Sequence, residues 1–236
     1  MTMSAQGLYQ AGQLQAALEA LSLEMRSHPA DATRRSFLFE LLTFAGDWER
    51  ALKQLDVLAQ AGQMAEAGTL LYRAAITAER VREHMFDASD FPAGAAPEPV
   101  VGTLNGTPFA SIRDADPRIG ARLEVMAGGR YLWIPFAHLA GVTMQAPARL
   151  RDLHWAPAHV AVGPSIREQE LGEVLLPAIT PAAWRHSDDA VRLGRATEWE
   201  ELPDGEFAPA GQKILVVDDR YVPLLDVREL IIGTPA

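Results

Sequence analysis

The chain has 236 residues, of which 48% are hydrophobic and 22% charged, and these proportions are typical of a folded chain and not of a disordered one. Its formal net charge of −10 argues against a nucleic-acid partner, because such a partner favours a basic surface. The absence of cysteine excludes disulfides, thiol catalysis and cysteine-based zinc sites.

An internal repeat occupies the first third of the chain. Residues 11–21 read AGQLQAALEAL and residues 45–55 read AGDWERALKQL, an offset of 34 residues. This offset is the period of the tetratricopeptide repeat. In each copy a small residue, Ala17 or Ala51, lies where two antiparallel helices must approach closely. We therefore predict a tetratricopeptide-like helical domain over residues 1–88, with a generic helical bundle as the alternative.

Apolar spacing predicts one helix face in each copy of the repeat, comprising Leu14, Ala17, Leu18, Leu21 and Met25 in the first and Trp48, Ala51, Leu52, Leu55 and Leu58 in the second. It also predicts two further helices in this region, one over residues 33–45 and a long one from about Met64 to Phe86. On the long helix, we expect the buried stripe to comprise Leu70, Leu71, Ala74, Ala78, Val81 and Met85.

The helix over residues 33–45 also carries a polar stripe. Thr33, Ser36, Glu40 and Thr43 follow one another at spacings of 3, 4 and 3 residues, which places them on one helix face. In a repeat array such a face lines the concave surface, where a helix from a partner can lie. These four residues are therefore candidates for partner binding.

Residues 89–108 are rich in proline and glycine and are predicted to form a linker. Short apolar runs then predict a small, irregular, mostly antiparallel β domain over residues 109–236, so the predicted fold class is α+β. Candidate strands are Phe109–Ile112, Leu123–Met126, Tyr131–Ile134, Ala158–Val162, Val174–Leu176, Ile214–Val217, Val222–Leu225 and Leu230–Ile232. Gly128 and Gly129 predict a hairpin turn between the second and the third of them.

The run KILVVDDRY, which ends in Asp218 and Asp219, is similar to the phospho-acceptor strand of a bacterial receiver domain. The 17 residues after Asp219 contain no lysine, which such a site requires downstream. They are also too few to complete a doubly wound sheet. We therefore expect the two aspartates to form a turn between strands, a position that aspartate favours.

No recognised catalytic motif is present. The chain lacks a G-x-S-x-G elbow, a Walker lysine loop and a dinucleotide-binding glycine pattern, and His154 and His159 do not have the spacing of a helical metal pair. We expect no catalytic residue, no metal site and no cofactor. The alternative is a hydrolase or small-molecule binder that uses Arg151, Asp152 and His154.

Two segments, residues 149–155 and 194–199, combine arginine with tryptophan, the residue types that anchor protein interfaces. Further candidates for partner binding are Arg151, Trp155, Arg195 and Trp199. The same residue types also cover the core of a small β domain by stacking, and we favour this structural use. The N-terminus has no secretory signal and no run approaches the ~20 apolar residues of a membrane span, so a cytoplasmic location is expected.

A series of landmarks resembles the ImpE family, also called TagJ or SciE-type virulence protein. They are Trp133-x-Pro135-Phe136, Pro147-x-x-x-Arg151-Asp152-Leu153-x-Trp155-x-Pro157-Ala158, Leu175-Leu176-Pro177, Leu193-Gly194-Arg195-x-Thr197-x-Trp199 and Gly211-Gln212. The resemblance implies a cytoplasmic accessory protein of the bacterial type VI secretion system. It implies binding to the small subunit of the contractile sheath, and through it to the AAA+ disassembly ATPase ClpV, without chemistry of its own. It identifies no contact residue, and an adaptor for an unrelated client is the alternative.

Overall fold

The computed structural model describes residues 3–92, 99–163 and 171–233. Five helices come first: α1 Ala5–Gln10, α2 Leu14–Ser27, α3 Ala32–Phe44, α4 Trp48–Leu58 and α5 Gln63–Ala88. The strands are β1 Gly102–Leu104, β2 Thr107–Phe109, β3 Ile112–Asp114, β4 Arg122–Ala127, β5 Arg130–Pro135, β6 Leu139–Met144, β7 Trp155–Val162, β8 Gly172–Pro177, β9 Thr197–Glu201, β10 Phe207–Gly211, β11 Ile214–Val217, β12 Arg220–Pro223 and β13 Glu229–Ile232. A short helix, α6 Asp189–Arg192, lies between β8 and β9. The α+β class is confirmed.

Short turns separate the first four helices, and their residues are of types that favour helix ends. Gly12 and Gly46, which follow α1 and α3, have positive φ angles of 78° and 68°, a conformation that glycine adopts without steric cost. Asp31 and Asp47 begin α3 and α4, and each side chain accepts a hydrogen bond from a backbone N–H of the first helical turn, at 2.9 and 3.2 Å. These caps and turns define where the antiparallel helices begin and end.

The apolar faces predicted for α2 and α4 face the core. The buried residues of α2 are Leu14, Ala17, Leu18, Leu21 and Met25, as the spacing predicts. On α4, Trp48, Ala51 and Leu55 are buried, whereas Leu52 and Leu58 are half-buried. Burial therefore confirms the helical periodicity of this region.

Ala51 gives a direct test of how closely these helices pack. Its side chain has no exposed surface. We expect Ala51→Leu to lower the free energy of unfolding by about 1–3 kcal/mol, because added methylenes must displace neighbouring side chains. Urea denaturation measures this change. The matched control is Val57→Leu on the exposed side of α4, expected to stay within about 0.5 kcal/mol. An unchanged midpoint for Ala51→Leu would mean that the helices do not pack closely here.

The buried side of α5 differs from the predicted stripe. Leu70, Leu71 and Val81 are 60%, 49% and 51% exposed, so that part of the prediction is wrong. The buried residues are Thr69, Ala75, Ile76, Ala78, Glu79, Arg82 and Phe86. The apolar pattern was misleading because two charged residues occupy the buried side, where they pair with each other and with the sheet.

Every strand pair within the described residues is antiparallel, in agreement with the prediction. Eight strands form one sheet in the order β2-β1-β13-β6-β7-β8-β4-β5, and two smaller sheets have the orders β10-β9 and β12-β11-β3. The predicted hairpin at Gly128 and Gly129 joins β4 to β5. Strand β1 and the first two residues of β2 lie within the predicted linker 89–108, so the sheet begins at Gly102, earlier than expected.

The two aspartates of the DDRY run form the turn between β11 and β12, as predicted. Asp218 has a positive φ of 53°, and its carboxylate accepts hydrogen bonds from the backbone N–H groups of Ala110 and Ser111, both at 2.9 Å. Strand β12 begins at Arg220, two residues before the predicted start. Asp218 thus also fixes the connection between β2 and β3 against this hairpin.

The helices and the β region, residues 102–233, share apolar contacts. One buried cluster combines the faces of α2 to α5 with Trp155, Leu175 and Ile179 of the β region. A second cluster lies among the strands. The end of α5 at Ala88 coincides with the predicted boundary of the helical domain. That this boundary separates two domains stays a prediction.

Candidate functional site

The polar stripe of α3 does not form one open surface. Thr33 is exposed and Ser36 is half-buried, but Glu40 is only 9% exposed and Thr43 is fully buried. The Thr43 hydroxyl donates to the backbone carbonyl of Glu40 at 2.8 Å, and the Glu40 carboxylate pairs with Arg151 at 3.1 Å. Two of the four residues are therefore buried, and Arg151 of the β region covers Glu40, so the four do not line one accessible groove as predicted.

Arg151 connects the β region with two helices. Its guanidinium pairs with Glu40 of α3 and lies 5.0 Å from the ring centroid of Tyr72 of α5. Burial raises the pKa of Glu40, and the positive charge of Arg151 opposes this rise. The Arg151 side chain therefore joins the β region to α3 and α5.

Trp155 is a core residue and has no exposed surface. Its indole N–H donates to the carboxylate of Glu79 at 3.2 Å. Its ring centroid lies 6.3 Å from that of Trp48 and 6.2 Å from that of Tyr72. These contacts correct the assignment of Trp155 as a candidate for partner binding, because a partner cannot reach its ring.

The three residues considered for a hydrolase site, Arg151, Asp152 and His154, each contact different neighbours. The Asp152 carboxylate accepts two backbone N–H groups of its own turn, at 2.8 and 3.0 Å. His154 is 7% exposed and lies edge-on against Phe44, with ring centroids 5.1 Å apart. Burial lowers the pKa of His154 to about 4, so the imidazole is neutral at neutral pH. With Arg151 held by Glu40, these side chains do not converge on a surface where a substrate could bind.

In the second arginine–tryptophan segment, residues 194–199, Arg195 contacts α1 whereas Trp199 is exposed. The Arg195 guanidinium lies 4.5 Å from the ring centroid of Tyr9 and donates to the backbone carbonyl of Gln10 at 3.1 Å. Arg195 thus connects this segment to α1. Trp199, in β9, is 43% exposed.

A buried charge cluster joins α5 to the strands. Its members are Glu79, Arg82, Asp114, Glu124 and Lys213, each at most 3% exposed. Arg82 donates to Glu124 at 2.7 Å and to Glu79 at 2.8 Å. Lys213 lies 2.6 Å from Asp114 and also pairs with Glu124. No sequence pattern indicates this cluster, because Arg82 and Glu124 are 42 residues apart and no local spacing relates them.

Burial and pairing act against each other in this cluster. Burial opposes the ionisation of Glu124, but the charges of Arg82 and Lys213 outweigh it and lower the pKa of Glu124 to about 2. Burial raises the pKa of Asp114 to about 6, although Lys213 opposes this rise. Removal of one partner from such a cluster leaves a buried charge without compensation, which is costly. The contact between α5 and the β region therefore depends on every member of the cluster keeping its partners.

The start of α5 presents an exposed apolar face. Met64, Ala67, Gly68 and Leu71 are all exposed and follow the i, i+3, i+4, i+7 spacing of one helix face. Met64 is 88% exposed. Beside Leu71 lies a groove of about 470 Å³, whose small apolar lining residues include Ala146, Pro147, Ala148, Ala156 and Pro157. We call these four helix residues together with the groove the α5 face.

Among residues 3–92, 99–163 and 171–233, no three histidine, aspartate or glutamate side chains are arranged to hold a metal ion. Within the same described ranges, no helix combines the length and the apolar character needed to cross a membrane.

Comparison with known proteins places the chain in a family. Residues 106–231 match the model of the family described as ImpE protein. The chain is 36% identical over 265 aligned residues to the type VI secretion system accessory component TagJ of Pseudomonas aeruginosa, with 98% of this chain and 91% of that protein covered. Its fold matches the crystal structure of protein VPA1032 from Vibrio parahaemolyticus with a TM-score of 0.83, 24% identity and 98% of both chains covered. The structural match supports the fold alone. The two sequence matches confirm the family resemblance that was predicted from the Trp, Pro and Arg landmarks. The chain belongs to the ImpE family.

Proposed function

We propose that this chain is a cytoplasmic, non-enzymatic adaptor of a type VI secretion system that binds the small subunit of the contractile sheath and links it to the ClpV ATPase. The relative from Pseudomonas aeruginosa, named as an accessory component of that system, supports the accessory role. The observation that carries the proposal is the α5 face, because an exposed apolar helix face beside an apolar groove suits an amphipathic helix of a partner.

We also propose that α1 to α4 form tetratricopeptide-like pairs. Gly12 and Gly46, at equivalent positions of the 34-residue repeat, share a positive φ, and Ala17 and Ala51 are both fully buried. In this arrangement α5 follows the second pair. Its first two turns are therefore available to a further helix, which would extend the array.

The α5 face replaces the α3 stripe as the proposed docking surface. Arg151 covers Glu40, whereas Met64 and Leu71 are open. The position of a Cβ at Gly68 has no neighbour within 4 Å, so a partner helix can approach the backbone of α5 closely. Full burial of a large apolar side chain contributes about 1.5–3 kcal/mol, so two such anchors would supply about 3–6 kcal/mol, and micromolar binding, about −8 kcal/mol, requires further contacts in the groove.

Leu71→Asp is expected to weaken binding of the purified small sheath subunit at least tenfold, or by about 1.4 kcal/mol or more, because it places a carboxylate against an apolar partner surface. Titration calorimetry with the full-length chain measures this loss. Leu71 is 49% exposed, so the variant should keep its fold, which thermal unfolding checks.

Val81→Asp is the matched control, because Val81 is 51% exposed on the same helix but lies on another face. We expect it to bind the sheath subunit as the unmodified chain does. Equal affinities of all three proteins would rule out the α5 face. A complete lack of binding by the unmodified chain would instead favour an adaptor for an unrelated client.

A further inference from the structure

An exposed aromatic groove lies on the β region, formed by Trp199 of β9, Phe207 of β10 and Tyr221 of β12. These side chains are 43%, 54% and 64% exposed. The rings of Trp199 and Tyr221 meet edge to face, with centroids 5.3 Å apart, and the three side chains line a groove of about 590 Å³. Grouped exposed aromatic side chains mark interaction sites, because a folded chain otherwise buries them.

Trp199 differs from the other tryptophans in its hydrogen bonding. The indole N–H groups of the other four all donate to side chains of this protein: Trp48 and Trp184 to Glu83, Trp133 to Tyr131, and Trp155 to Glu79. Within the described part of the chain, no acceptor is present for the Trp199 indole. Its N–H is therefore available to an acceptor on a ligand that lies in the groove.

One side of the groove carries two carboxylates. Glu201 lies opposite Phe207 in the β9–β10 pair and therefore on the same strand face as Trp199. Glu206 lines the groove itself, and Arg113 is the one basic residue among the groove-lining side chains. Glu198 and Glu200 alternate with Trp199 along β9 and face the opposite side, where Glu198 lies 3.4 Å from His186. The excess of negative charge at one side favours a ligand with a basic residue next to its apolar part.

We propose that the aromatic groove binds an extended, proline-rich segment of a partner that carries an adjacent arginine or lysine. A polyproline II segment presents pyrrolidine rings to aromatic side chains, and its backbone carbonyls make no internal hydrogen bonds. Such a carbonyl can accept from the Trp199 indole. In the interior of an α-helix the backbone carbonyls are already bonded internally, so a docked apolar helix face offers this donor no free backbone acceptor. The groove thus differs in ligand class from the α5 face, which suits a helix.

The test uses the full-length chain and defined peptides, with binding followed by tryptophan fluorescence and calorimetry. The probe is a decaproline peptide flanked by two arginines, and the comparison peptides are a decaproline flanked by two glutamates and an arginine-flanked amphipathic helix of alanine and leucine. We expect the arginine-flanked decaproline to bind with a Kd below about 1 mM, and both comparison peptides to bind at least about tenfold more weakly. Absence of binding at several millimolar, or a preference for the helical peptide, would overturn the proposal.

Variants locate the binding site. Trp199→Ala and Tyr221→Ala should each weaken binding of the arginine-flanked decaproline about tenfold or more, whereas Trp199→Phe, which keeps a ring but removes the N–H, should cause a smaller loss. The control Val101→Ala changes an apolar side chain that is 49% exposed elsewhere, and it should not alter binding. Unchanged affinity of Trp199→Ala would contradict the proposal. So would sedimentation of the unmodified chain as a dimer that Trp199→Ala converts to a monomer, because the groove would then be a contact between two copies.

Discussion

Arg82→Ala should lower the free energy of unfolding by about 3–5 kcal/mol, because it leaves the carboxylates of Glu79 and Glu124 buried without their main partner. The Arg82 side chain is 1% exposed and bonds to both. Urea denaturation at neutral pH measures the loss. The matched control is Arg80→Ala on the same helix, where the ion pair with Glu49 is exposed and should contribute at most about 1 kcal/mol. Equal losses of unfolding free energy in the two variants would show that the buried ion pairs matter no more to stability than the exposed one.

The pH dependence of this loss provides a second readout. In the folded protein the pKa of Glu124 is about 2, below its usual value of 4.5, so its ionised pairing with Arg82 stabilises the fold above pH 4.5. This contribution is lost as the pH falls from 4.5 towards 2. We therefore expect the stability difference between the unmodified chain and Arg82→Ala to narrow in acid. A difference independent of pH would contradict the assigned ionisation of Glu124.

The contribution of Asp114 to stability changes with pH in the opposite direction to that of Glu124. Burial raises its folded pKa to about 6, above the usual 3.8, so its contribution to stability is present at low pH and is lost as the pH rises from 3.8 to 6. Asp114 pairs with Lys213, which Arg82→Ala retains. The Asp114 contribution is therefore present in both proteins and largely cancels when they are compared.

Trp155→Ala should also lower the free energy of unfolding by about 3–5 kcal/mol, because it removes a fully buried indole from between the helices and the strands. It also leaves the carboxylate of Glu79 without the Trp155 indole donor. Trp155→Phe should cost less, since it retains most of the ring volume and loses mainly this hydrogen bond. Thermal and urea unfolding measure both variants.

Trp199→Ala is the control for this experiment, because Trp199 is 43% exposed and its removal should change stability by no more than about 0.5 kcal/mol. A small loss for Trp155→Ala, similar to that of Trp199→Ala, would mean that the contact between the helices and the β region does not depend on this residue. Comparison of Trp155→Ala with Trp199→Ala therefore distinguishes a tryptophan that supports the fold from one that is available for binding.

Periodic apolar residues made much of the fold predictable. The spacing in α2 and α4 and the Gly128-Gly129 turn encode local structure, so their elements could be predicted without knowledge of the tertiary fold. Strands β9 and β10 could not, because their sequences, TEWEE and FAPAG, contain few of the β-branched residues that favour strands. Their pairing depends on the tertiary fold.

The site was less predictable, because long-range pairing determines which polar residues are buried. Glu40, Glu79 and Arg82 have the composition of a solvent-facing helix side, and charged residues are rarely buried unless they are paired. Their partners lie far along the chain, so the sequence alone gave no reason to expect Glu40 of α3 or Glu79 and Arg82 of α5 to be buried. Leu71, which the apolar pattern assigned to the interior, is exposed.

Hydrogen–deuterium exchange of the full-length chain, alone and saturated with the small sheath subunit, tests the proposed docking surface most directly. We expect slower exchange on binding at residues 63–71, the start of α5, and at residues 143–148, which line the adjacent groove, with unchanged exchange over residues 33–43 of α3. Protection of residues 33–43 without protection of residues 63–71 would contradict the account and return the docking site to the α3 stripe.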